Sequence, residues 1–145
     1  MGIIPYQLFY EEYRSEGRWV KEQILNLSSE DKQNIAIAID KNYIPENRIY
    51  RYNYFYDNCT TRAVEAIKAA LKANGETLVF PNLSRDKSVM SQRDMIHEFT
   101  RNSPWYEFGQ DLLLGPEVDR KFNAEDQLRY NFLPTYALRI FDAAQ

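Results

Sequence analysis

The sequence predicts an α+β chain, rich in helix with a few short strands. Three observations carry that expectation. Apolar residues recur at helical spacing behind capping residues in several segments. One stretch, residues 49–57 (IYRYNYFYD), alternates with period two. The 145 residues, 44% hydrophobic and 27% charged, supply enough apolar material for one core. No low-complexity linker or internal repeat divides the chain, so residues 1–145 read as a single domain or a piece of one.

Tyr6, Phe9, Tyr10 and Tyr13 fall at i, i+3, i+4 and i+7, the stripe of a short helix that Gly17 ends. Residues 19–27 (WVKEQILNL) mix β-branched and apolar positions and predict a strand. Ser28 and Asp31 have the spacing of a capping box and open a helix over about 29–41. Ile35, Ile37 and Ile39 alternate there as a strand would, but the cap and the intervening alanines favour helix. Pro45 breaks the chain, and residues 49–57 follow as an aromatic strand. Asp57 or Asn58 then caps a helix whose stripe is Ala63, Val64, Ile67, Ala70 and Leu71, stopped by Asn74-Gly75. Residues 77–80 predict a short strand and 82–90 a polar loop. Ser91 with Asp94 opens a helix carrying Met95, Ile96, His97 and Phe99. Ser103-Pro104 starts another, over 105–114, and Gly115-Pro116 stops it. Asn123 caps a short helix, and Leu133-Pro134 begins the last.

Net charge of −3, with no basic cluster, excludes a nucleic-acid footprint, because phosphate binding needs gathered Lys and Arg. No apolar run approaches the ~18–20 residues of a membrane span. Residues 1–5 have neither the basic start nor the apolar stretch of a signal peptide. A single cysteine, Cys59, and a single histidine, His97, rule out an internal disulfide and a cysteine-rich zinc site. Phosphate-loop, GxSxG, HExxH and EF-hand patterns are missing from the sequence, so neither a cofactor nor a metal is expected.

The sharpest local feature is Asp57-Asn58-Cys59-Thr60-Thr61-Arg62. It sets the lone thiol at the start of a well-formed helix, behind an aromatic strand. Unpaired N–H groups and partial positive charge at a helix N-terminus stabilise a thiolate and a developing oxyanion. A Cys at a helix start behind a strand is also the architecture of papain-like thiol enzymes. The competing reading is a small buried hydrophobe. Thiol catalysis needs a base, and His97 is the chain's only imidazole, with Asp94 at i−3 to orient it. Arg93, Arg101, Asp119 and Arg120 are further polar candidates, though such residues are more often solvated or salt-bridged at the surface. The tyrosine row at 50, 52, 54 and 56 is either a platform for lipid or sugar or ordinary cross-strand packing.

Several blocks resemble the Lnb N-terminal periplasmic domain family of the bacterial envelope. They are Glu16-Gly17-Arg18, Glu22-Gln23-Ile24-Leu25-Asn26-Leu27-Ser28, Pro45-Glu46-Asn47-Arg48, and Tyr52 through Arg62. Further on come Arg93-Asp94-Met95-Ile96-His97, Asp111-Leu112-Leu113-Leu114-Gly115, Asp119-Arg120 and Phe132-Leu133-Pro134. The resemblance implies a periplasmic, membrane-associated setting and a tie to lipoprotein N-acylation, with an acyl lipid or a lipoprotein N-terminus as partner. It also implies part of a permuted papain-like (NlpC/P60-like) fold. Cys59 would be the nucleophile, with Thr60, Thr61 and Arg62 offering backbone N–H groups to the oxyanion. Asn58, Asp57, Asp94 and Arg93 would orient groups or contact substrate. Members of the family carry a histidine upstream of the Cys, and no histidine precedes Cys59 here. Either His97 is the base, or the chain is a C-terminal portion of the domain and inactive as it stands.

Three functions fit. One is a thiol-dependent acyltransferase facing the periplasm, another a papain-like amidase or peptidase of the cell envelope. The third is a non-catalytic lipid- or protein-binding domain in which Cys59 is a core thiol.

Overall fold

The computed structural model describes residues 3–77, 90–122 and 130–143. Among them are six α-helices and no β-strand. The chain divides into two compact units, Met1–Leu78 and Val79–Gln145, and each is considered by itself.

The first unit holds α1 (Tyr6–Ser15), α2 (Ser29–Tyr43) and α3 (Cys59–Ala73). The aromatic stripe of α1 forms as its spacing predicts: Phe9 and Tyr13 lie with ring centroids 4.3 Å apart, and Arg18 sits over the Tyr13 ring at 3.7 Å. Gly17, at φ 67°, supplies the left-handed turn beyond the helix. α2 begins on the expected capping box, with Ser28 Oγ accepting from Asp31 N–H at 3.1 Å and Asp31 Oδ2 accepting from Ser28 N–H at 3.0 Å. Helix therefore prevails over the alternating isoleucines. α3 begins on a second box, between Asn58 and Thr61, and buries Val64, Ala70 and Leu71.

The second unit holds α4 (Gln92–Thr100), α5 (Pro104–Leu113), a 3-10 turn (Pro116–Asp119) and α6 (Pro134–Ala143). Ser91 and Asp94 form the third box. Met95, Ile96, Val118, Phe122, Phe132, Tyr136, Ala137 and Ile140 make its core. Phe122 N–H bonds to Met90 C=O at 3.0 Å and holds the two ends of this segment together.

The expectation of an α+β, papain-like fold is thus overturned. Residues 19–27 carry no regular secondary structure, and Trp19 and Ile24 are 76% and 93% exposed. The aromatic row at 49–57 makes only an isolated bridge, Asn53 with Asp57. Its physical cause is local. Asn53 Oδ1 accepts from the N–H of Phe55 at 3.0 Å and of Tyr56 at 3.1 Å. That Asx turn folds the chain back before a ladder can form. A period-two pattern still needs a partner strand, and none is offered among the described residues. The strand expected at 77–80 falls, beyond Thr77, outside the described residues, as does the helix expected from Asn123.

Candidate functional site

In the first unit, a groove of about 510 Å³ runs between α2 and α3. Ile35 and Ile39 from α2 and Ala63, Ala66 and Ile67 from α3 give it apolar walls, and Cys59, Arg62, Tyr50, Arg48, Asn42 and Asn47 line it as well. The thiol is free and exposed. The reading of Cys59 as a buried small hydrophobe therefore does not hold: it is the first residue of α3 and it faces the groove.

The Asn58 cap decides what this helix start can do. Asn58 Oδ1 accepts from Thr60 N–H at 2.8 Å and from Thr61 N–H at 2.9 Å. Arg62 N–H goes to Asn58 C=O at 3.1 Å, the first bond of the helix ladder. The three backbone donors expected for an oxyanion are thus committed to holding the helix. The Cys59 N–H, by contrast, makes no hydrogen bond among the described residues. Asn58 is itself buried, and its amide donates to Tyr54 C=O at 2.8 Å, fixing the cap against the preceding turn.

Arg62 is clamped beside the thiol. Its Nε and Nη2 donate to Asp57 at 2.6 and 3.0 Å, and its guanidinium stacks 3.5 Å from the Tyr50 ring centre. The Arg62 hydrogen bonds hold the Asp57 carboxyl below the usual carboxylate range. The tyrosine row is not a strand face, but one member, Tyr50, contributes to the groove.

His97 lies in the second unit, half-buried on α4, with Nε2 2.9 Å from Asp111 Oδ1. Asp94, expected to orient it, is committed elsewhere. Its Oδ2 accepts from Ser91 N–H at 2.8 Å and from Lys121 at 2.5 Å. Arg93 reaches two carboxylates at 2.5 Å each, Asp111 through Nη1 and Asp119 through Nε. Arg101 turns its Nε to Glu98 C=O at 3.3 Å, and Arg120 is exposed.

Sequence reasoning assigned no site role to Asp111, Arg48, Ile35 and Ile39. A signal for Asp111 was available. Arg93 and His97 are four apart on α4, and Glu107 and Asp111 are four apart on α5, so two helices carry complementary faces. The groove-lining residues had none, because they meet only when α2 and α3 pack.

Among the described residues no helix is long and apolar enough to cross a membrane, and no group of three or more His, Cys, Asp or Glu is placed to hold a metal ion. Compared with known proteins, residues 1–86 match the family model described as the Lnb N-terminal periplasmic domain. The matched stretch contains the whole thiol groove and ends before His97. Neither a curated protein nor a solved structure matches the chain.

Proposed function

The chain belongs to the Lnb N-terminal periplasmic domain family, and on the footing that it is a periplasmic domain of the cell envelope we propose that it works as a thiol-dependent acyltransferase. One observation carries the reading: the chain's only thiol is exposed and lines a groove of about 510 Å³ with apolar walls. Ile35, Ile39, Ala66 and Ile67 offer dispersion contact and no hydrogen-bond partner from their side chains, which suits an acyl tail better than a peptide backbone.

The chemistry then runs in two steps. The Cys59 sulfur attacks the ester carbonyl of an acyl lipid while a base takes the thiol proton. The carbonyl oxygen gathers negative charge, and the Cys59 N–H is the main-chain donor that the Asn58 cap leaves for it. The C–O bond breaks, the alcohol departs with the proton, and a thioester stays on Cys59. An amino group, as at a lipoprotein's N-terminal cysteine, attacks that thioester. An amide forms, and the amine's proton returns to the sulfur. Arg62, held by Asp57 and lining the groove, would meet an anionic group of the donor or acceptor. The partners proposed are accordingly an acyl lipid, a lipoprotein N-terminus and the membrane surface that presents them.

A turnover assay with an acyl ester donor and a peptide bearing an N-terminal cysteine tests this. Amide product that disappears with Cys59→Ala supports transfer. Free fatty acid as the main product makes the protein a hydrolase. Neither product, with the ester bound in the groove, makes it a lipid-binding domain. That last reading has an observation of its own: the cap consumes the Thr60 and Thr61 N–H groups that an oxyanion would use.

A further inference from the structure

α4 and α5 meet along a seam of complementary polar groups. Thr100 donates its hydroxyl proton to Glu107 at 3.0 Å at one end. At the other, Asp111 Oδ1 receives both Arg93 Nη1, at 2.5 Å, and the His97 ring, at 2.9 Å. Arg93 is itself pinned by Asp119 at 2.5 Å and by the carbonyls of Leu114 and Gly115, at 3.4 and 3.5 Å, where α5 ends. Its guanidinium therefore cannot swing away from Asp111 without breaking contacts to two further parts of the chain.

From this geometry we infer that Asp111, anchored by Arg93, is a positioning residue that holds His97 as the tautomer protonated on Nε2, leaving Nδ1 as the basic nitrogen. A carboxylate facing an arginine stays ionised and has only lone pairs to offer. The ring nitrogen beside it must then carry the hydrogen and donate it. Hydrogen bonds from His97 and from Arg93 also keep the Asp111 carboxyl below the ordinary carboxylate range. Nδ1 makes no hydrogen bond among the described residues, so its lone pair is available to a proton. A carboxylate fixing one ring nitrogen so that the other can work is the arrangement by which imidazoles are oriented in general. The tautomer does not depend on the function proposed above.

His97 is the sequence's only histidine, so a chain labelled with nitrogen-15 in its histidine ring reports this residue alone. The spectrum of the neutral ring is predicted to show two well-separated nitrogen signals, with the proton on Nε2 and that proton exchanging slowly with water. Free histidine also prefers the Nε2 proton, so the slow exchange is the deciding signal. Asp111→Ala is predicted to speed that exchange by about tenfold or more, and Arg93→Lys by a smaller factor. A wild-type ring with averaged nitrogen signals, a proton on Nδ1, or an Nε2 proton already in fast exchange overturns the inference, whether or not the variants fold. A locked ring in a chain that transfers no acyl group counts against the proposed function and leaves the tautomer standing. A mobile ring in an active chain does the reverse.

Discussion

The Asn74 side-chain amide donates to Asp31 Oδ1 at 2.5 Å, joining the C-terminal end of α3 to the first turn of α2. Asn34 closes the clip by donating to Asn74 Oδ1 at 3.1 Å. Asp31 is only 1% exposed, and its other oxygen holds the Ser28 cap. One carboxylate thus starts α2 and ties it to α3, and those two helices make the groove walls.

Breaking the clip is expected to cost stability and groove together. Asn74→Ala leaves a buried carboxylate oxygen without its donor and should destabilise the first unit by about 2 kcal/mol. Denaturant melts followed by circular dichroism measure this. A change below experimental error would mean that packing alone sets the helix pair.

Acid should unfold the chain in a defined window. The Ser28 hydroxyl and N–H and the Asn74 amide hold Asp31 below its ordinary value of 3.8, Arg62 does so for Asp57, and Arg93 for Asp119. Burial pushes Asp94 up, but Lys121 and Ser91 outweigh it and bring it down to about 2. Each folded-state value is depressed, so each contribution is complete above the unfolded value and is lost as pH falls through the folded one. The urea midpoint is therefore predicted to hold steady from pH 7 to about pH 5 and to drop between about pH 4 and pH 2. Asp94→Asn should flatten the lower part of that drop. A midpoint unchanged at pH 2.5 would contradict the assignment.

The Asn58 cap separates structure from chemistry. Asn58→Ala removes the acceptor for two N–H groups and should cost about 1–2 kcal/mol. Asn58→Asp keeps the acceptor, gives up the amide bond to Tyr54 C=O at some cost in stability, and places a negative charge next to Cys59, so alkylation of the thiol in the folded protein should slow by roughly five- to tenfold. Equal alkylation rates in the two folded proteins would show that this helix start has no electrostatic hold on the sulfur.

Filling the groove should block a ligand and spare the thiol. Ala66 is half-buried in the groove wall, and Ala66→Phe projects a ring into the space. Binding of a fluorescent fatty-acyl probe should weaken by about tenfold or more, the equivalent of losing roughly 1.4 kcal/mol of contact. Alkylation of Cys59 by a small reagent should stay within about twofold of the parent protein, since a small reagent needs little of that space. Undiminished acyl binding would move the site elsewhere.

What could be read from the sequence was local, and what could not was the pairing of distant segments. Ser28 with Asp31, Ser91 with Asp94, and the Asn58 helix start all form as expected, because a cap needs only three residues of chain. The aromatic row at 49–57 misled because its alternation is a strand's only when another strand lies beside it; Asn53 bonded its own neighbours first. Assigning the oxyanion to Thr60, Thr61 and Arg62 counted donors without counting what Asn58 would take. Asp94 looked like the partner of His97 because it is near in sequence, yet Asp111, on the next helix, occupies that place.

A covalent acyl group on the sulfur is the most direct test. The purified chain, folded and incubated with an activated long-chain acyl ester, should gain the mass of one acyl group, released by neutral hydroxylamine as a thioester is and missing from Cys59→Ala. A folded protein whose Cys59 alkylates freely but never carries that mass would contradict the acyl-transfer account.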